Sequence, residues 1–224
     1  MQSQVIGELL PLAIGVAISP LPIIAAIVML LTRRAGPTSL GLLVGWVVGI
    51  VVATVVFVAI ASTVGLDESS GPSTAGSWVK IGLGVLLLLL AARQWRGRPR
   101  PGQPVTMPKW MSAIDSFTLG KAAGLGFVLS AVNPKNLVIC ATAGATIGAA
   151  ALSDGQAAVA VAVFTVIGAS TVAAPVVGYA LAKERMRRPL DELRHWLEAH
   201  NNAVMSVLLL VIGLTVIGKG IGGL

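Results

Sequence analysis

Apolar residues run through the chain in six long stretches: Val5–Leu31, Leu40–Val64, Trp78–Ala92, Leu119–Leu152, Gln156–Ala182 and Ala203–Ile221. A helix needs about 20 such residues to cross a hydrocarbon core roughly 30 Å thick. The pattern therefore predicts an all-α polytopic membrane protein with six transmembrane helices. Trp78–Ala92 is short, and spans only if Lys80 snorkels to the interface. Leu119–Leu152 is too long for one straight helix, so it must tilt, project beyond the bilayer, or be broken.

The polar connections differ in kind. Arg33, Arg34, Gly36 and Pro37 form a tight turn, and Leu66–Ser77 is a Gly/Ser/Pro-rich loop carrying Asp67 and Glu68. Arg93–Trp110 is rich in proline and arginine, and predicts an extended, solvated linker. In Lys183–His200, Met186, Leu190, Leu193 and Leu197 recur at helical spacing, with Pro189, Asp191 and Glu192 near the start. That stretch predicts an amphipathic interfacial helix near 186–199. Three regions follow: a first three-helix repeat over 1–95, a Pro/Arg-rich linker over 96–113, and a second three-helix repeat over 114–224.

Charge fixes the expected orientation. Thirteen of the sixteen Lys and Arg residues fall in the first, third and fifth connections, and none in the second and fourth. Positive charge stays on the cytoplasmic side, so the linker is expected in the cytoplasm and both termini outside the inner (cytoplasmic) membrane. The segment Met1–Glu8 has no Lys or Arg, so the first stretch is expected to be a retained span and not a cleaved signal.

Composition agrees with this picture. Hydrophobic residues make up 55% of the 224 positions and charged ones 11%, against roughly 25% charged in soluble domains. The net charge of +7 does not imply nucleic acid, because the basic residues lie between apolar runs without interleaved aromatics. The single cysteine, Cys140, excludes an internal disulfide and any multi-cysteine metal site.

Two proline motifs carry the candidate chemistry. Ala17-Ile18-Ser19-Pro20-Leu21-Pro22 lies near the middle of the first stretch, and Ala131-Val132-Asn133-Pro134-Lys135-Asn136 near the middle of the fourth. With six spans, two halves of three run in opposite directions, an inverted repeat that recurs among transporters. Aligning Pro20 with Pro134 also pairs Ala17 with Ala131 and Gly41 with Gly155. Each proline removes a backbone donor and frees carbonyls, which are tolerated at membrane depth only against protein or a wet cavity. Ser19, Asn133 and Asn136 can hydrogen-bond there. The plainer reading is kinking for packing alone. Lys135 is the sharpest residue: an ion at a span centre costs about 2.5–3.5 kcal/mol, and no Asp or Glu shares the apolar core. It must lose its proton, bond freed carbonyls, meet an anionic substrate group, or snorkel outward.

These residues resemble the LysE-type exporter superfamily. Trp110, Ile114-Asp115, Gly124-Leu125-Gly126 and Asn133-Pro134-Lys135-Asn136, behind a proline-rich basic linker, are most similar to its GAP family of Sap-like proteins. Leu21 replaces the glycine common in the superfamily's first motif. The resemblance implies an inner-membrane protein that exports, or assists export of, a cell-envelope glycolipid or peptidoglycolipid. It implies substrate or ion binding by Ser19, Pro20, Pro22, Asn133, Pro134, Lys135 and Asn136, with Asp115 and Lys121 at a cytoplasmic entry. Two alternatives stand beside it: a LysE-type exporter of a small solute such as an amino acid, and a non-transporting adaptor within a larger lipid-export machinery.

Gly41, Gly45 and Gly49 put small residues on one face of the second span, suited to intramolecular packing or to a homodimer seam. Gly120/Gly124 and Gly144/Gly148 do the same in the fourth. These glycines lack the strand-and-turn setting of a phosphate loop. Asp191 and His195 stand four residues apart, but a solvated face explains them. No nucleophile has a base beside it, so the expectation is no enzyme, no cofactor and no metal.

Overall fold

A computed structural model of the chain describes residues 2–32, 35–63, 74–98, 114, 116–150 and 152–224. Arg33, Arg34, the Asp67/Glu68 loop, most of the Pro/Arg-rich linker and Asp115 lie outside the described residues. The elements are α1 (Gln2–Ala17), α2 (Pro20–Leu31), α3 (Ala35–Thr63), α4 (Thr74–Arg96), α5 (Leu119–Phe127), a π-helical turn (Val128–Val132), α6 (Pro134–Ala149) and α7 (Asp154–Ile221). No strand occurs among the described residues. Inside α7, Ala182 leaves helical geometry at φ −143° and ψ 49°, which separates a first limb, Asp154–Lys183, from a second, Arg185–Ile221.

Four segments are long and apolar enough to cross a membrane, and up to six if each bent helix pair is one span. Their outer faces are greasy. Along α3, Val44, Val48, Val52, Val55 and Ile60 are all exposed, a continuous apolar strip that water would penalise and hydrocarbon accepts. The chain is a multi-pass membrane protein.

The stretch Trp78–Ala92 lies within the 23-residue α4, because the small and basic residues flanking it remain helical. The amphipathic stretch near 186–199 belongs to a helix that continues without interruption to Ile221. Its apolar side differs in one place from the expected stripe: Leu190 and Leu197 are buried, whereas Leu193 is exposed.

Packing follows the small residues. A Cβ on Gly41 would meet the Leu119 carbonyl at 2.5 Å, and one on Gly45 would overlap the Ala123 carbonyl. Further along, Gly49 faces Ser130, Gly144 faces the Thr54 carbonyl and Gly148 faces Ala61. The α5–α6 pair therefore tracks α3 from beginning to end, in the same direction. The Gly41/Gly45/Gly49 face is filled by this chain itself. Gly120 and Gly124, by contrast, have open space around them, and Gly126 makes the close approach to α3 instead, at Leu42 and Trp46. The Gly120/Gly124 pair is thus no packing stripe. The second limb of α7 runs antiparallel to α4, with Gly213 against Gly84 and Gly220 against Ser77 and Ile81.

Candidate functional site where two broken helices meet

Both proline motifs break their helices, for the same physical reasons. Pro20 cannot donate, and its ring excludes the helical conformation for the residue before it. Ser19 is accordingly extended, at φ −111° and ψ 98°, and the axes of α1 and α2 differ by 51°. Pro20 then starts α2, where a missing N–H costs nothing. In the second motif Asn133 is extended, at φ −60° and ψ 121°, and its side chain accepts from the Lys135 backbone N–H at 3.1 Å. That is an N-cap for α6. The preceding chain widens into a π turn, closed by the Asn133 N–H donating to the Val128 carbonyl. Here the bend is 62°.

A broken helix leaves its last carbonyls without intrahelical donors. At the end of α1 each one finds a partner. The Ile14 carbonyl accepts from the Ile18 N–H, and the Gly15 carbonyl from Lys135 Nζ at 2.7 Å. Val16 accepts from the Ser19 hydroxyl at 2.6 Å. Ala17 accepts from the Ser19 N–H and from the Thr171 hydroxyl. Ile18 accepts from Lys135 Nζ at 3.5 Å.

Lys135 is thus the cross-link between the motifs. Its Nζ also donates to Ser19 Oγ at 2.6 Å, so three acceptors face a group that carries three donors when ionised. Its side chain is buried, although no carboxylate pairs with it. The negative end of the α1 dipole takes that role. Asn136, fully buried, ties the two breaks further: its Nδ2 donates to the Leu129 carbonyl at 2.9 Å, and its Oδ1 accepts from Ser19 Oγ at 3.3 Å.

The structure therefore brings Ser19, Lys135 and Asn136 together, and packs Pro20 and Pro22 beside them as buried residues. Asn133 stays on its own helix as a cap, and Pro134 is exposed. Lys121 is exposed at the start of α5, away from this centre. Two participants carry little signal in the sequence. Thr171, from the first limb of α7, reaches the α1 terminus, and Gly168 leaves room for Val16 and accepts from Trp46 Nε1. Ser170-Thr171 is a polar pair in an apolar run, the one clue available.

The family model for Sap, the sulfolipid-1-addressing protein, matches residues 9–222. The chain belongs to this family. Both proline motifs and all their hydrogen-bond partners fall inside the region matched to Sap. No curated protein and no solved structure matches the chain.

A first prediction arises from Ser19, whose hydroxyl serves Val16, Lys135 and Asn136 together. Ser19→Ala should cost about 1–3 kcal/mol by leaving a buried carbonyl and a lysine donor unmatched. The expected result is a melting temperature several degrees lower in detergent, read by tryptophan fluorescence. An unchanged melting temperature would mean that the centre is wet enough for water to replace the hydroxyl.

Proposed function

We propose that this Sap-family protein is an inner-membrane exporter, or export-assisting protein, for a cell-envelope glycolipid, peptidoglycolipid or precursor. In this reading it spans the cytoplasmic membrane six times as a three-plus-three inverted repeat, with the basic ends inside and both termini outside. It is not an enzyme and needs no cofactor.

The observation that carries the reading is the meeting of four half-helix ends at Lys135. Irregular backbone at membrane depth is the mark of a transport centre, because it concentrates partial charges where a ligand or ion passes. Neighbour exchange supports the inverted repeat. The second span of each half lies against the broken helix of the other: α3 lies along α5–α6, while the first limb of α7 lies along α1–α2, with Gly168 at Val16 and Thr171 at Ala17. The α4 helix and the second limb of α7 then pair with each other.

Lys135 acts as a latch between the halves. Bonded to the α1 carbonyls, it holds the breaks together and the centre closed. Leaving them for an anionic group on a passing substrate, it would let the halves separate. The opposite end of α1 carries a second tie between first and last elements, Glu8 to Lys219 at 3.2 Å.

The test is lipid movement by the purified protein. Proteoliposomes containing it and radiolabelled envelope lipid extract are expected to expose one lipid class to an outer-leaflet acceptor faster than protein-free vesicles. Equal exposure with and without protein would exclude autonomous transport, and would favour an adaptor that works only inside a larger machinery.

A further inference from the structure

At the end of the bundle where the basic residues gather lies a cavity of about 420 Å³. It is bounded by the end of α2, the first turn of α3 and the last turns of the first limb of α7. The walls include Leu30, Thr32, Ser39, Tyr179, Lys183 and Arg187. Two are cations, and among the described residues that line it none is a carboxylate. The α3 helix starts at Ala35 with no acidic residue in its first turn, and Ala35, Gly36 and Pro37 line this space, so the positive end of the helix dipole lies at it.

Tyr179 supplies the independent observation. It is the chain's only tyrosine, it is 6% exposed, and its hydroxyl is buried without a hydrogen-bond partner. A buried hydroxyl without a partner is costly in a native protein. It is explained if a ligand supplies the acceptor.

From the cation pair, the helix start and the orphan hydroxyl, the geometry points to a binding site here for a tetrahedral oxyanion, a phosphate or sulfate ester. Tyr179 donates one hydrogen bond, Lys183 supplies positive charge, and the positive end of the α3 dipole adds to it. The apolar wall of Leu30, Leu40 and Val176 suits the first carbons of an attached chain. On the export reading above, this is where an anionic head group enters before reaching Lys135. The site itself stands on its own geometry and binds whether or not the protein transports.

Binding is measured with the purified full chain in neutral detergent, by calorimetry with octyl phosphate and separately with inorganic phosphate. Saturable binding of octyl phosphate is expected, weakened about tenfold in Tyr179→Phe. Weaker, less salt-sensitive binding is expected in Lys183→Gln. Tighter binding of octyl phosphate than of inorganic phosphate identifies a lipid head group as the ligand. Equal binding of the two, still reduced in both variants, identifies a free anion. No saturable binding, or full affinity in Tyr179→Phe at an unchanged melting temperature, overturns the proposal. Failure here leaves the lipid-movement test unaffected, and failure there leaves this site intact.

Discussion

Lys135→Met is expected to abolish lipid delivery while leaving the protein folded. Methionine keeps most of the stem volume and removes every donor. Two stability effects then oppose one another. The Gly15 and Ile18 carbonyls lose their partner, at about 1–3 kcal/mol each for buried polar groups left unmatched. Against this, the cost of holding an ammonium at membrane depth disappears, about 2.5–3.5 kcal/mol. The two nearly cancel, so the melting temperature should stay within a few degrees of wild type. The function has no such compensation, because methionine cannot exchange carbonyls for a substrate anion. Arginine is not a conservative alternative, since its larger planar fork does not fit where a single nitrogen meets three acceptors. A variant that melts like wild type yet delivers no lipid is the expected outcome. Full delivery by Lys135→Met would remove the latch from the mechanism.

The second large effect is structural. Gly45→Leu should prevent the protein from accumulating in the membrane. A Cβ at Gly45 would overlap the Ala123 carbonyl oxygen and lie 2.7 Å from its carbon and 2.9 Å from the Ala123 Cα. All three are backbone atoms, so no side chain can swing aside, and α5 must leave α3. Even Gly45→Ala is expected to cost about 1–3 kcal/mol, the range for overpacking a tight interface. Gly124→Leu is the matched control. Nothing lies within 4 Å of the position of its Cβ, and the variant should accumulate normally. Membrane levels by immunoblot give the comparison. Equal levels of all three variants with wild type would mean that α3 and α5 are not in contact at Gly45.

Much of this architecture is legible in one dimension because the bilayer imposes one-dimensional rules. Apolar run length located the four long apolar helices and the two bent pairs. The excessive length of Leu119–Leu152 leaves tilt, projection or a break open, and the chain takes the break, as a π turn and a 62° bend. Proline chemistry marked both breaks, since a missing N–H has its effect wherever the chain goes. What depends on helix rotation was less readable. Four glycines in the fourth stretch look equivalent by spacing, yet Gly144 and Gly148 pack on α3 while Gly120 and Gly124 face outward. Gly126, only two residues beyond Gly124, already packs on α3, so the difference is one of position around the helix. The sequence leaves several partners open for Lys135, because backbone carbonyls have no residue signature. Thr171 and Tyr179 stayed hidden for a related reason: a lone hydroxyl in a span acquires meaning only from what lies opposite.

The central claim is that this Sap-family protein delivers a lipid across the membrane. The most direct measurement compares surface-extractable with total lipids in a deletion strain and in the same strain complemented with the wild-type protein. The account predicts that one glycolipid or peptidoglycolipid class vanishes from the surface extract, persists in the total extract, and returns to the surface on complementation. Identical surface lipids in the two strains would contradict it.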